Sequence, residues 1–310
     1  SIGAFTAFSI YMTMLIWPAV AIGWVTGLFQ RGAASMKRFK RILDVRPLIF
    51  DNDSALPLGQ EEIAIEIRDL SFRYNAGGPL ALDCVSFVIR PGMTLALIGA
   101  TGSGKTTLVN LLARLYPLDR GMIFFNGRDI NDMEIASLRS RFGFVSQEAF
   151  LFSDSLRNNI ALADPDASEE RIRAAADLAS ISEQIEAFPK QYDTLLGEKG
   201  INLSGGQKQR TAIARAVLKD PEILIMDDAL SSVDTRTEEQ ILERLRTYAT
   251  GRTMILIAHR ISTVRDADHI LVLHKGRIVE EGTHDDLILK KGYYADLNEQ
   301  QRLKNEIEEL

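Results

Sequence analysis

The stretch Leu95-Ala-Leu-Ile-Gly-Ala-Thr-Gly-Ser-Gly-Lys-Thr-Thr107 constrains the chain more than any other. An apolar run passes into a glycine-rich turn, and Gly99 to Thr106 fits G-x-x-x-x-G-K-[ST] with no mismatch. The pattern predicts a buried strand ending at Ile98. A helix is predicted from near Gly104 through Leu108, Leu111, Leu112 and Leu115, spaced to face a core. Between them Gly99, Gly102 and Gly104 let the backbone curl, so that the N–H groups around Thr101, Ser103 and Thr107 point inward at a phosphate. The positive end of the helix adds to that field. Lys105 is placed to reach the outer phosphates of a nucleotide, and the Thr106 hydroxyl to hold Mg²⁺.

The first thirty residues, Ser1 to Gln30, carry no charge, which is long enough to cross a bilayer. Both tryptophans, Trp17 and Trp24, lie here with Tyr11, and Pro18 is tolerable in a membrane helix whose neighbours satisfy the freed carbonyl. Arg31, Lys37, Arg38, Lys40 and Arg41 follow at once. A basic flank favours the cytoplasmic side, and a signal peptide would carry its charge before the apolar run. The helix is expected to continue to Leu43, and a lone span with small and polar residues expects partner helices. The sequence starts without Met directly in this segment, which suggests the C-terminal piece of a longer membrane protein. The net charge of −6 implies no general affinity for nucleic acid. Cys84, the single cysteine, excludes a disulfide framework or zinc site within the chain and reads as a small core residue.

The expected organisation is a membrane helix with its cytoplasmic extension over 1–44, a linker over 45–60, a nucleotide-binding domain over 61–300 and a helical tail over 301–310. Ile63, Ile65 and Ile67 alternate with polar residues as a half-exposed strand. Strands and helices then alternate, predicting an α/β class with a mainly parallel sheet and an antiparallel edge. Glu222-Ile-Leu-Ile-Met-Asp227-Asp228 reads as a buried strand ending in two acids, with Asp227 the candidate near Mg²⁺. Leu203-Ser-Gly-Gly-Gln207-Lys-Gln-Arg210 opens a second helix. Ser204 and Gln207 form a capping-box pattern, and Gly205 and Gly206 leave the first-turn N–H groups bare. Spacing alone does not separate an anion site here from a well-capped surface helix.

Gly99–Thr106, Leu203–Gln207 and Ile223–Asp228, in this order, resemble the ATP-binding domain of ABC transporters, and the resemblance covers nearly all of residues 61–300. It implies a nucleotide-binding α/β fold with an antiparallel β subdomain and a helical subdomain, here preceded by one transmembrane helix. By the same resemblance Tyr74 stacks on adenine, and Gln147 contacts Mg²⁺ and the attacking water. His259 contacts the γ-phosphate, Gly197–Gly200 touches the membrane domain, and Ala229–Asp234 crosses to a partner subunit. Two such domains pack head to tail with ATP between the phosphate loop of one and the Ser204–Gln207 helix of the other. Residues 1–44 resemble the last membrane helix of an exporter half-transporter. The implied protein is a membrane-bound ATPase subunit of an exporter, with ATP and Mg²⁺ as ligands, lipid around it and a second half-transporter as partner. A soluble ABC ATPase of DNA repair or translation, or a nucleotide-gated regulatory subunit, are the alternatives.

One position departs from the family pattern. The residue after the Mg²⁺-linked acid is normally Glu, which polarises the attacking water; here it is Asp228, shorter by one methylene and about 1.5 Å of reach. This implies a slow site of the kind found in heterodimeric exporters. The opposite expectation, that a small backbone shift lets Asp228 work, belongs to a homodimer.

Overall fold

The computed structural model describes residues 1–59 and 61–308. Gln60, at the end of the expected linker, and Glu309 and Leu310, at the end of the expected tail, lie outside the described residues. Ser1–Leu48 and Ile49–Leu310 are separate compact units.

The first unit is one helix, α1 (Ile2–Leu43), capped by the Ser1 hydroxyl and containing Pro18. An 18-residue window reaches a mean hydropathy of 1.7, and none of the helix's side chains is buried. Its hydroxyls turn back on the helix: Thr6, Ser9, Thr13 and Thr26 each donate to the carbonyl four residues earlier, at 2.7–3.1 Å. A hydroxyl paired in this way can face hydrocarbon without an unmet hydrogen bond.

The second unit contains two sheets. The first is antiparallel, in the order β2-β1-β4-β5, from β1 (Ile65–Phe72), β2 (Leu82–Ile89), β4 (Ile123–Phe125) and β5 (Arg128–Asp129). The second has the order β10-β9-β3-β8-β7-β6, from β3 (Thr94–Ile98), β6 (Phe142–Val145), β7 (Ile223–Asp227), β8 (Thr253–Ile257), β9 (His269–His274) and β10 (Arg277–Gly282). Its pairs are parallel except for the antiparallel edge strand β10. The predicted α/β class with a mainly parallel sheet is therefore present.

Alternation along the buried strands divides the core into two faces. Ile223, Ile225, Ile255 and Ile257 pack toward the antiparallel sheet and α2 (Lys105–Leu112). Leu224, Met226, Met254 and Leu256 face the opposite way. On that second side lie α4 (Leu156–Ile160), α5 (Glu169–Leu178), α6 (Ser182–Glu186), α7 (Gly205–Leu218) and α8 (Thr235–Tyr248). They are held by buried residues such as Ile160, Ile172, Ile213 and Ile241. The short α3 (Ile135–Ser140) precedes β6, and α9 (Ile261–Val264), α10 (His284–Lys290) and α11 (Tyr293–Glu308) complete the chain. The segment before β1 is fastened to the domain: Leu58 is buried, and the buried Arg114 guanidinium donates to the carbonyls of Phe50 (3.0 Å) and Met133 (2.7 Å).

Two expectations are corrected. Cys84 is exposed, not a core residue. Between the pairs Leu70↔Val85 and Phe72↔Leu82 the second strand has one extra residue, and Cys84 stands in this bulge at φ +51°. The bulge lets both Leu82 and Val85 point inward, where strict alternation would allow only one. Leu115 does not extend the core face of α2, which ends at Leu112; it lies beyond the C-cap Ala113 and is exposed.

Candidate functional site: a phosphate loop and the strand ends beside it

Strand order explains why motifs far apart in sequence meet. The four neighbours β3, β8, β7 and β6 are parallel, so their carboxyl ends lie side by side. The glycine loop follows β3, His259 follows β8, Asp227 ends β7 with Asp228 just beyond it, and Gln147 follows β6. Ligands of open α/β sheets bind outside such carboxyl ends. One pocket is lined here by Tyr74, Thr101, Gly102, Gly104, Lys105, Thr106, Thr107, Gln147, Asp227, Asp228 and His259.

The loop is built by close backbone approach. At Gly99 (φ +152°) an added Cβ would lie 2.1 Å from the Leu273 carbonyl oxygen, and at Gly104 (φ +106°) 2.6 Å from that of Ala81. Only glycine meets both the conformation and the spacing. Gly104 is also the N-cap of α2 and offers no side chain, so the cap is left to backbone groups. Ser103 is buried under the loop, its carbonyl accepting from Gly276 N–H at 3.0 Å. Gly99 likewise lies under the loop and not on the pocket wall: its carbonyl accepts from Lys105 Nζ at 2.8 Å, as does that of Ala100 at 3.0 Å. Burial pushes the Lys105 ammonium below its ordinary pKa, and the carboxylates of Asp227 and Asp228 pull it back.

Asp227 is buried, and desolvation holds its carboxyl above the usual range against a hydrogen bond from Thr106 and the charge of Lys105. Among the described residues no three His, Cys, Asp or Glu side chains could hold a metal unaided. Thr106, Asp227 and Gln147 line the same pocket, and each carries a side-chain oxygen. That fits Mg²⁺, which takes few protein ligands and completes its shell with phosphate oxygens and water.

Asp228 occupies a left-handed conformation (φ +49°), tied by its N–H to the Ile257 carbonyl at 2.9 Å. Its Oδ2 lies 3.4 Å from Gln147 Nε2 and 3.9 Å from His259 Nε2. The structure thus brings three sequence candidates onto one carboxylate oxygen. Tyr74 is half exposed at the pocket rim; its hydroxyl meets Thr107 Oγ1 at 2.8 Å, and its ring packs edge-on against Phe72 and Tyr116, at 5.2 and 5.0 Å between centroids.

The second motif does not join this pocket. Ser204 caps α7 in a full capping box with Gln207, whose Nε2 also donates to Gln184 at 3.2 Å. Gly205 and Gly206 lie against Ser232, where a Cβ on Gly206 would come within 2.8 Å of the Ser232 carbonyl. Ser204 and Gly205 are exposed, so this helix end is open to another molecule.

Two buried polar residues near the site carry no signal in sequence periodicity. Gln209 joins α7 to the loop after Asp228, donating to Ser231 Oγ (3.0 Å) and accepting from Ser232 N–H (2.9 Å). Glu238 of α8 accepts from Arg260 Nη1 and Thr263 Oγ1, each at 2.5 Å, and so ties α8 to the segment after His259.

A parallel sheet with a glycine loop, a buried acid at the end of the next strand but one and a lysine among carbonyls and carboxylates defines a phosphate-binding nucleotide domain of the α/β type. Residues 82–231 match the ABC transporter family, and the chain carries an ABC transporter ATP-binding domain. It is 42% identical over 304 residues to the multidrug resistance-like ATP-binding protein MdlA of Escherichia coli (strain K12), covering 98% of this chain and 51% of that protein. It is 42% identical over 307 residues to the ATP-dependent lipid A-core flippase of Syntrophus aciditrophicus (strain SB), covering 99% of this chain and 51% of that one. A solved structure of a bacterial Atm1-family ABC exporter with ATP bound superposes with a TM-score of 0.86 at 39% identity, over 94% of this chain and 51% of that chain. The chain spans about half the length of these relatives.

Proposed function

We propose that the chain is the ATPase end of an exporter-type half-transporter, in which ATP-driven head-to-tail pairing of two such domains moves membrane helices. The observation that carries this reading is the meeting of Lys105, Thr106, Asp227, Asp228, Gln147 and His259 at the carboxyl ends of adjacent parallel strands. In this reading the loop amides and Lys105 hold the β- and γ-phosphates, and Tyr74 offers its ring to the adenine. Thr106, Asp227 and Gln147 would hold Mg²⁺, which when bound draws charge from the phosphate oxygens. Asp228 accepts the proton side of the attacking water, with Gln147 and His259 orienting it and the γ-phosphate. The exposed Ser204–Gln207 helix end closes the site of a partner domain, since its own subunit's pocket does not include it. The exposed apolar face of α1 supports a place in the cell membrane beside partner helices and lipid, with the domain on the cytoplasmic side of the basic flank.

Asp228 supports a further step: this subunit's own site turns over slowly, and the natural partner is a different half-transporter. The test is Mg²⁺-ATP hydrolysis by the full chain in lipid nanodiscs across protein concentration, with Lys105→Ala as reference. Saturable ATP binding lost in Lys105→Ala, with turnover low and flat in concentration, is the expected result. Absence of ATP binding by the wild type overturns the nucleotide assignment. Robust turnover that rises as a dimer forms overturns the heterodimer and favours two identical chains.

A further inference from the structure

We propose that Gln301, on the C-terminal helix, is a positioning residue for His259. The inference rests on the proposed ATPase reading and extends it to a residue that the site itself does not contain. Gln301 Nε2 donates to the His259 carbonyl at 2.6 Å, and its Oε1 accepts from Ile261 N–H at 2.9 Å. One side-chain amide thus grips both sides of the turn between β8 and α9.

The turn needs such a grip. Ile261 is the first residue of α9, and its N–H has no partner within the helix. The N-cap residue is Arg260, whose side chain carries only donors and makes no cap hydrogen bond. Gln301 supplies from forty residues away the acceptor that Ser, Thr or Asp would supply locally. The His259 carbonyl it also holds belongs to the residue whose imidazole lies 3.9 Å from Asp228 Oδ2. Holding that carbonyl restrains the backbone from which the imidazole projects.

Gln301 is itself held on a rigid element. Tyr294, Leu297 and Gln301 fall on one face of α11, at helical spacings of three and four. Tyr294 is fully buried, its hydroxyl 2.8 Å from His284 Nδ1, and Leu297 packs on the cluster that contains Ala258 and Ile261. The Glu280 carboxylate accepts from the N–H groups of Tyr293 (2.5 Å) and Tyr294 (3.1 Å), which secures the start of α11. On the other side of the turn Glu238 holds Arg260 and Thr263. The His259 segment is clamped between α8 and α11, and the Gln301 amide makes the hydrogen bonds of the α11 jaw.

The test uses the full chain in nanodiscs, as wild type, Gln301→Met and Glu299→Gln. Methionine keeps the length and packing of glutamine and removes both hydrogen bonds. Glu299→Gln is the control, breaking only an exposed ion pair with Arg302 on the same helix. The first readout is amide hydrogen exchange over residues 259–264, which needs no turnover. The second is kcat and KM for Mg²⁺-ATP, measured also in the Asp228→Glu background, with thermal unfolding alongside. Gln301→Met is expected to raise exchange at Ile261 while leaving β8 protected. Its kcat is expected to fall about ten-fold with KM within about two-fold, the scale of a sub-ångström misplacement. Glu299→Gln changes neither. Unaltered exchange over 259–264 in Gln301→Met overturns the proposal, and so does unaltered kcat in a hydrolysing background. A wild type that binds no ATP overturns the ATPase reading instead, and the exchange experiment still decides whether Gln301 holds the turn.

Discussion

Lengthening one side chain, Asp228→Glu, tests the central chemical reading in two opposite directions at once. Asp228 Oδ2 stands 3.4 Å from Gln147 Nε2 and 3.9 Å from His259 Nε2. A good N–H···O contact is about 2.9 Å, so the carboxylate falls short of the imidazole by about 1 Å. One methylene adds about 1.5 Å of reach, enough to close both gaps. A misplacement of about 1 Å costs on the order of 10²-fold in rate, equivalent to about 2.7 kcal/mol of barrier. Turnover in Asp228→Glu should therefore rise by up to about 100-fold, with KM for ATP little changed because no phosphate contact is altered. Stability should move the other way. Residue 228 sits at φ +49°, a conformation that Asp tolerates better than Glu, so the variant should lose up to about 1 kcal/mol. Phosphate release at saturating Mg²⁺-ATP and urea unfolding, both on the full chain in nanodiscs, read the two effects. A folded variant whose kcat rises less than about three-fold refutes the argument from reach. Asp228 would then be an adequate base where it stands.

Gly99→Ala places a Cβ 2.1 Å from the Leu273 carbonyl at an unfavourable φ, and should cost at least about 3 kcal/mol in chemical denaturation; a loss under about 1 kcal/mol would contradict the packing described. Asp227→Asn removes a buried charge and should raise the melting temperature of the nucleotide-free protein while abolishing Mg²⁺-dependent ATP binding, and a lower melting temperature would refute the first half. The pH dependence of that gain has a definite sign. Because burial raises the folded-state pKa of Asp227, its ionised form destabilises the fold; the penalty is full above the folded pKa and is lost as pH falls through it toward the unfolded value. The stability gap between Asp227→Asn and wild type should accordingly shrink on acidification, and a gap that widens would sink the linkage. Glu238→Ala leaves the buried Thr263 hydroxyl and the Arg260 guanidinium without their shared acceptor, and should cost about 2 kcal/mol with faster exchange over 259–264.

Much of the phosphate site was legible in the sequence because its information is local. The glycines, Lys105 and Thr106 are consecutive, and the strand before them and helix after them have the periods that strands and helices require. The strand that carries Asp227 was legible as an apolar run ending in an acid, and its place downstream of the glycine loop made that acid a candidate. The capping box at Ser204 is a four-residue pattern, and the structure contains it in full. Cys84 shows where local reading fails. Its alternating neighbours suggest a strand, which is correct, but the face on which it lies is set by a bulge opposite Ser71 that neither strand encodes alone.

The polar residues that support the site were not legible, and the reason is physical. Gln209, Glu238 and Gln301 each make two hydrogen bonds to segments 22–42 residues away, and each sits on a helix whose own pattern treats it as an ordinary polar position. A side-chain amide or carboxylate that satisfies a distant turn leaves no periodic trace, because its partner is chosen by topology. In this domain the topology is the strand order β3-β8-β7-β6, which sets four loops side by side. The chemistry was readable where a loop carries its own instructions, as from Gly99 to Thr106. It was hidden where one loop is held in place by its neighbours, as His259 is held by Glu238 through Arg260 and by Gln301 directly. A substitution that leaves every motif intact can therefore still change how the site works, if it removes one of these holding groups.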